Sequence, residues 1–402
     1  MQDLWDKTKL LAHGGWSRTT KRMRLAGGLL IFIIATAWVS LPTIRTAEYP
    51  NIPKIHLDYP EPVVSPYNAS KVALLVENRP NPILAPLLLH FMSVVPPDWR
   101  FRFMGSTESV AFVNKSVAIR EQVDNGKLDL TYIPSNMSTI GQEMISRFLT
   151  TLWLYEVVLQ PAEWLLVFQT DSILCANSRQ NINDYLDYDW IGAPWNVGGR
   201  YGGNGGLSLR RVSAIIEILR DQIRVDGSEP EDVWLAERLA HRHGARMANG
   251  STSLTFSGEM HSGKATKIDH ASEVNDTALE AAKHGDYVEG IDDWRQGFYE
   301  PMGYHTGGSG STLHGGIWGT PEQRKHIWNY CPEVKMTLAM DVARFVPGSC
   351  HTNWKRDSET WESSGSTGET GAVGLDNSGY GHGTEIIDGV EYPMLPPNLA
   401  PW

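Results

Sequence analysis

Four short stretches carry side chains that could do chemistry. The run Trp164-Leu-Leu-Val-Phe168 is continuously apolar and leads directly into Gln169-Thr-Asp171-Ser172. A run of that kind reads as a buried strand, and open α/β sheets bind ligands beyond the carboxyl ends of their strands, so Asp171 faces a crevice. A hard divalent cation takes oxygen ligands and often bridges a carboxylate to a diphosphate, which makes Asp171 a candidate metal ligand. A helix N-cap or an Asx turn would use the same residue. Next comes Tyr201-Gly-Gly-Asn204-Gly205-Gly206, followed by Leu207-Ser-Leu209. Glycines let a backbone approach a ligand closely and an Asn amide can bond sugar hydroxyls, although an Asn-Gly hairpin turn fits the same residues.

The third stretch is Ser228-Glu-Pro-Glu231-Asp232-Val-Trp234, at the start of a helix expected to run to about His243. Ser228 and Glu231 have capping-box spacing, which accounts for Glu231. It leaves Asp232 over, and a carboxylate at a helix start in a crevice could serve as a general base. The fourth is Glu300-Pro-Met-Gly-Tyr-His305. An imidazole completes an oxygen-rich site for a manganese-like ion, so His305 is the second candidate metal ligand. Other spacings are missing: the sequence has no GxGxxG, CxxC or HExxH, and Gly258-Glu-Met-His-Ser-Gly263-Lys264 is followed by Ala265 and not by the Ser or Thr of a P-loop. A nicotinamide site, a P-loop and a zincin are therefore unsupported.

These residues need a scaffold, and the hydrophobic pattern supplies one. Lys71 to Val76 reads as a buried strand ending at Glu77-Asn-Arg79, and Leu84 to Phe91 as a helix. Trp99 to Met104 and Leu128 to Ile133 read as strands, Thr139 to Leu159 as helical, and Trp164 to Phe168 as a strand. Asp189 to Ala193 and Leu207 to Arg210 read as further strands, and Val212 to Leu219 as a helix. Strand and helix alternate, so the expected class is α/β with a mainly parallel central sheet. Residues 258–299 turn polar and read as an insertion. Residues 356–384, within a low-complexity tail spanning 351–402, are expected to be disordered.

The 402 residues carry 35 basic and 46 acidic side chains, a net charge of -11. That balance argues against nucleic acid as a partner, since such binding rests on phosphate neutralisation. Residues 25–44 hold no charged side chain, about the length that crosses a bilayer core. Lys7, Lys9, Arg18, Lys21, Arg22 and Arg24 precede them against Asp3 and Asp6, which predicts a cytosolic N-terminus (1–24) and a single-pass type II signal anchor, with a cleaved signal peptide as the alternative. Residues 45–70 read as a stem. Five N-glycosylation sequons, at Asn68, Asn114, Asn136, Asn249 and Asn275, all follow the apolar run. Cys175, Cys331 and Cys350 are too few for a disulfide-dense scaffold.

Taken in order, several of these stretches resemble a mostly fungal family catalogued as a domain of unknown function and regarded as glycosyltransferase-like. The resemblance rests on Ala73-Leu-Leu-Val-Glu77-Asn-Arg79, Phe168-Gln-Thr-Asp171-Ser172 with Cys175, Asp189-Trp-Ile-Gly-Ala-Pro-Trp195, Asn204-Gly-Gly-Leu-Ser-Leu-Arg210, Glu231-Asp232-Val-Trp234 and Pro301-Met-Gly-Tyr-His305. It covers about residues 71–305 and implies a GT-A-like fold, a single Rossmann-type domain over residues 71–350 that binds a nucleotide sugar. In that family type an Asp-x-Asp motif holds the metal and diphosphate. Here Gln169 occupies the first position, leaving Asp171 with His305 to hold a Mn2+ or Mg2+ ion. The resemblance further implies donor contacts from Glu77 and Arg79, a sugar and acceptor pocket from Trp195, Asn204, Gly205 and Gly206, and Asp232 as the base of an inverting transfer, a base that a retaining transfer would not need. The expected function is transfer of a sugar from a nucleotide-sugar donor to a glycan or glycoconjugate acceptor, in the Golgi or endoplasmic reticulum membrane. A catalytically degenerate, membrane-anchored carbohydrate-binding or scaffold protein is the alternative.

Overall fold

The computed structural model describes residues 5–9, 19–46, 65–268, 287–288, 290–339, 384–387 and 389–393. The chain divides into two units, Met1–Val64 and Ser65–Trp402. In the first, helix α1 spans Lys21–Thr46, and its stretch Lys21–Ser40, of mean hydropathy 1.8, is long and apolar enough to cross a bilayer.

The second unit is built on a six-stranded sheet in the order β3-β2-β1-β4-β7-β6. Its strands are β1 (Lys71–Val76), β2 (Arg100–Gly105), β3 (Leu128–Tyr132), β4 (Trp164–Phe168), β6 (Trp190–Gly192) and β7 (Leu207–Arg211). The first four run parallel, whereas β7 is antiparallel to both β4 and β6. Alternate residues of the central strands enter different cores. Ala73, Leu75, Leu166 and Phe168 join one, and Val72, Leu74, Leu165 and Val167 the other. Burial on both faces explains why these strands read as unbroken apolar runs.

Helices cover both faces. On the first lie α2 (Leu84–Val94), α3 (Thr107–Val113) and α4 (Val117–Asp124). Leu84, Leu87, Leu88 and Phe91 of α2 recur at helical spacing and are fully buried, and the extended Val95 before Pro96-Pro97 ends the helix. On the second lie α5 (Gly141–Leu149), α6 (Val212–Asp221) and α7 (Glu231–Ala240). The segment expected to be helical from Thr139 to Leu159 is interrupted, with α5 followed by a separate wide turn at Leu154–Val158.

A three-stranded sheet in the order β5-β9-β8 lies beyond the end of β4, made of β5 (Ser172–Leu174), β8 (Ser257–Gly258) and β9 (Gly303–His305). Helix α8 (Gly250–Phe256) leads into β8, and α9 (Gly315–Trp318) and α10 (Pro321–Tyr330) follow β9. A Cys175–Cys331 disulfide joins the residue after β5 to the residue after α10, across 156 positions of sequence. Within the expected insertion, residues 269–286 and 289 lie outside the described residues. So does most of the expected tail, apart from a hairpin of β10 (Thr384–Ile387) and β11 (Val390–Pro393).

Candidate functional site

Strand β1 has β2 on one side and β4 on the other, both parallel to it, so the strand order reverses between β1 and β4. Such a switch point opens a crevice at the carboxyl ends of the strands. Glu77 and Arg79 follow β1 into it, and Gln169 to Asp171 follow β4. Because β7 runs antiparallel to β4, pairing Leu207 with Phe168, the loop before β7 arrives at the same end. That loop ends in Asn204-Gly205-Gly206. Pairing of Ser172 with His305 across β5 and β9 then brings the imidazole beside Asp171.

At the centre stand two carboxylates and one imidazole. Asp171 Oδ1 lies 3.4 Å from His305 Nε2, and Glu259 Oε1 lies 3.1 Å from His305 Nδ1. Asp171 Oδ2 also accepts the Ser309 backbone N–H at 3.0 Å. Burial pushes the Asp171 carboxyl up, but His305 and the Ser309 amide outweigh it and hold it below the usual range. Burial likewise pushes the imidazole down, while Asp171 and Glu259 outweigh it and raise it to about 10. Without a further cation, one negative charge of this trio is unbalanced.

Glu259 has no counterpart among the residues singled out in the sequence. The register of β8 against β9 explains its position. Ser257 pairs with Gly303 and Gly258 with Tyr304 in parallel, so the next residue meets His305. Glu259 Oε1 also accepts the Asn204 side-chain N–H at 3.3 Å. Asn204 Oδ1 accepts the Gly206 N–H at 2.6 Å. No type I′ turn forms here, since neither Asn204 nor Gly205 has the positive φ that such a turn requires. Gly206 is needed for close approach: a Cβ there would collide with His305 Nε2 and sit 2.7 Å from Gln169 Oε1.

Below this floor lies a buried ion pair. Arg210, fully buried, donates to both carboxylate oxygens of Glu231 at 2.9 and 3.1 Å, to the Gly205 carbonyl at 3.1 Å and to Ser208 Oγ at 2.9 Å. Its guanidinium lies 4.3 Å from the Trp190 ring centroid. The expected capping box is not formed. Pro230, extended at ψ 155°, is the N-cap, so α7 begins at Glu231, whose side chain turns inward to Arg210. Helix α7 also stops at Ala240, short of His243. Asp232 is partly exposed, its Oδ2 accepting the Gly205 N–H at 3.0 Å and its Oδ1 the Val233 N–H at 2.9 Å. Asp232 and Arg210 thus hold Gly205 by its N–H and by its carbonyl.

Glu77 and Arg79 form a local unit. Arg79 donates to Glu77 Oε1 from Nε at 3.0 Å and to Oε2 from Nη2 at 2.8 Å. The Arg79 side chain is 69% exposed while that of Glu77 is 10%, so Arg79 meets solvent and Glu77 orients it. Bonding to Glu77 raises Arg79, with a smaller contribution from the Asp171 charge. Trp195 packs against the second core, and its carbonyl lies 3.2 Å from His261 Nε2, two residues beyond Glu259. The structure thus brings Asp171, His305, Asn204, Gly205, Gly206 and Asp232 together, with Arg79 within electrostatic reach of Asp171.

These groups suit a hard divalent cation. Neither ring nitrogen of the buried His305 has a hydrogen bond of normal geometry, and the nitrogens face opposite carboxylates. One ion can contact only one ring nitrogen. Nε2 and Asp171 are the pair that could hold it, with Glu259 left on Nδ1, where a carboxylate commonly orients a metal-bound imidazole. Among the described residues no group of three or more His, Cys, Asp or Glu could hold a metal. The remaining ligands would be phosphate and water oxygens, as for a Mg2+-like ion.

Residues 127–273 match the family described as "Protein of unknown function (DUF5672)". No curated protein matches the chain. Among solved structures, the chain is similar to the mannosyltransferase PcManGT from Pyrobaculum calidifontis in complex with GDP-Man and Mn2+. There the identity is 11% and the TM-score 0.34, over 46% of this chain and 56% of that one. It is also similar to the mannosyltransferase Ktr4p from S. cerevisiae, at 9% identity and TM-score 0.26 over 41% of this chain and 59% of that one. The glycosyltransferase GlyE of Streptococcus pneumoniae TIGR4 matches at 11% identity and TM-score 0.35, over 72% of this chain and 64% of that one. In each case the match spans less than two thirds of the neighbour.

Proposed function

We propose that this protein is a glycosyltransferase that moves a sugar from a nucleotide-sugar donor to a glycan or glycoconjugate acceptor. The observation that carries the reading is the meeting of Asp171 and His305 at the switch point between β1 and β4, against a glycine floor that a single Cβ would obstruct. A Mn2+ or Mg2+ ion held by Asp171 and His305 would neutralise charge on the donor diphosphate as the sugar departs. Arg79 contacts the donor phosphates, a role its exposure and permanent charge support. Asn204 bonds a sugar hydroxyl, and Trp195 shapes the acceptor side. Asp232 takes the proton of the acceptor hydroxyl in an inverting displacement, through the carboxylate lone pairs that Gly205 and Val233 leave free.

The chain is anchored by α1 with its second unit in the lumen of the Golgi or endoplasmic reticulum. The basic flank of α1 supports that orientation, as does the Cys175–Cys331 disulfide, a bond that persists in oxidising compartments. Asn68, Asn114, Asn136 and Asn249 of the sequons are exposed, which leaves them free to carry glycans.

Gln169 at the first position of the metal motif favours a second reading, a carbohydrate-binding protein that has lost transfer. Calorimetric titration of the full chain in detergent with a panel of nucleoside diphosphates, with and without Mn2+, separates the two. A transferase binds one nucleotide in a Mn2+-dependent manner that Asp171→Asn abolishes. A protein that binds only acceptor glycans shows no metal-dependent nucleotide affinity.

A further inference from the structure

We infer that Glu259 is a positioning residue that couples the two sides of the crevice, orienting His305 for the divalent cation and fixing the Asn204 loop with the same oxygen. The inference rests on the metal reading proposed above for its His305 half and on geometry alone for its Asn204 half. Its Oε1 lies 3.1 Å from His305 Nδ1 and 3.3 Å from Asn204 Nδ2, and the side chain is only 11% exposed. An imidazole ligates through one nitrogen, and the partner of the other sets the ring's tautomer and orientation. With Asp171 on Nε2, the Nδ1–H belongs to Glu259. The bond to Asn204 acts on the opposite wall. It holds the Asn204 amide so that its Oδ1 accepts the Gly206 N–H at 2.6 Å, and Gly206 packs onto His305. Glu259, His305, Gly206 and Asn204 therefore close a ring of contacts, in which orienting the imidazole and ordering the loop are one event.

The variants Glu259→Ala and Glu259→Gln test this, because Gln keeps an oxygen that can accept from both His305 and Asn204. Two readouts are taken on the full chain in detergent: Mn2+ affinity in the presence of a nucleoside diphosphate, and amide hydrogen exchange over residues 204–206. Glu259→Ala is expected to weaken Mn2+ binding by about 10–100-fold, the usual loss when the residue behind a metal-bound His is removed. It is also expected to speed exchange at Gly206, and Glu259→Gln to restore most of both. Parent-like Mn2+ affinity and parent-like exchange in Glu259→Ala overturn the inference while leaving the metal reading intact. A parent chain that binds no Mn2+ with any nucleotide overturns the metal reading and the His305 half together. Faster exchange at Gly206 in Glu259→Ala then still supports the Asn204 half, and unchanged exchange overturns it.

Discussion

Breaking the Arg210–Glu231 pair should be costly in a way that depends on which partner is removed. Arg210 is fully buried with four hydrogen bonds, two of them to Glu231, and the Glu231 side chain is 9% exposed. Glu231→Leu leaves a guanidinium that cannot lose its proton, and stranding such a buried charge costs about 3–5 kcal/mol. Arg210→Met leaves a carboxyl that can escape by taking up a proton. Burial already pushes Glu231 up to about 7 against the pull of Arg210, and without Arg210 its value rises further. Above pH 7 the folded variant keeps this proton while the unfolded chain, titrating near 4.5, does not. Folding stability therefore falls with pH, by about 1.4 kcal/mol per unit, until the folded value is passed. His305, raised to about 10 in the fold, gives all four proteins a common fall with pH above about 6.5, so the Glu231 contribution is read as a difference: above pH 7 Arg210→Met falls more steeply than the parent, and Glu231→Leu does not. The double variant, with neither charge, should lose less than the sum of the two single losses. Urea unfolding of the detergent-solubilised chain, followed by Trp fluorescence at pH 6 to 9, measures all four proteins. A pH dependence for Arg210→Met no steeper than the parent's above pH 7, or a double variant as costly as the two singles combined, would refute the reasoning.

Three further outcomes follow from the same geometry. Asp232→Asn keeps one acceptor oxygen for Gly205 or Val233, so it should cost about 1 kcal/mol of stability and leave donor affinity near the parent's, while transfer falls by about 10²-fold. Normal transfer by that variant would remove Asp232 as the base. Replacing Cys175 and Cys331 by Ser opens a loop of 156 positions and should lower unfolding stability by about 3–5 kcal/mol, measured against the parent under non-reducing conditions. Endoglycosidase treatment of the chain expressed in a eukaryotic host should increase its gel mobility, and an unchanged band would contradict a lumenal second unit.

The sheet was legible in the sequence because strands buried on both faces leave continuous apolar runs, and the run Trp164 to Phe168 coincides with β4. Asp171, His305 and Asn204 were legible as residue types placed after strands or glycines. Their meeting depends on the antiparallel turn of β7 and on β9 pairing with β5, which local pattern does not encode. Glu259 was missed for that reason: it follows a two-residue strand at the edge of a polar stretch, and only the β8–β9 register gives it a partner. Glu231 was misread because Ser-x-x-Glu spacing fits a capping box. Pro230 in an extended conformation moved the helix start, and burial gave the carboxylate to Arg210 instead.

The central claim is that the crevice between β1 and β4 cleaves a nucleotide sugar, and release of nucleoside diphosphate measures it most directly. The full chain, with Mn2+ and a panel of nucleotide sugars, should release nucleoside diphosphate from one of them when a glycan mixture is supplied as acceptor, and Asp171→Asn should lower that release by about 10²-fold or more. Release from none of the donors, or equal release by the parent and Asp171→Asn, would contradict the account.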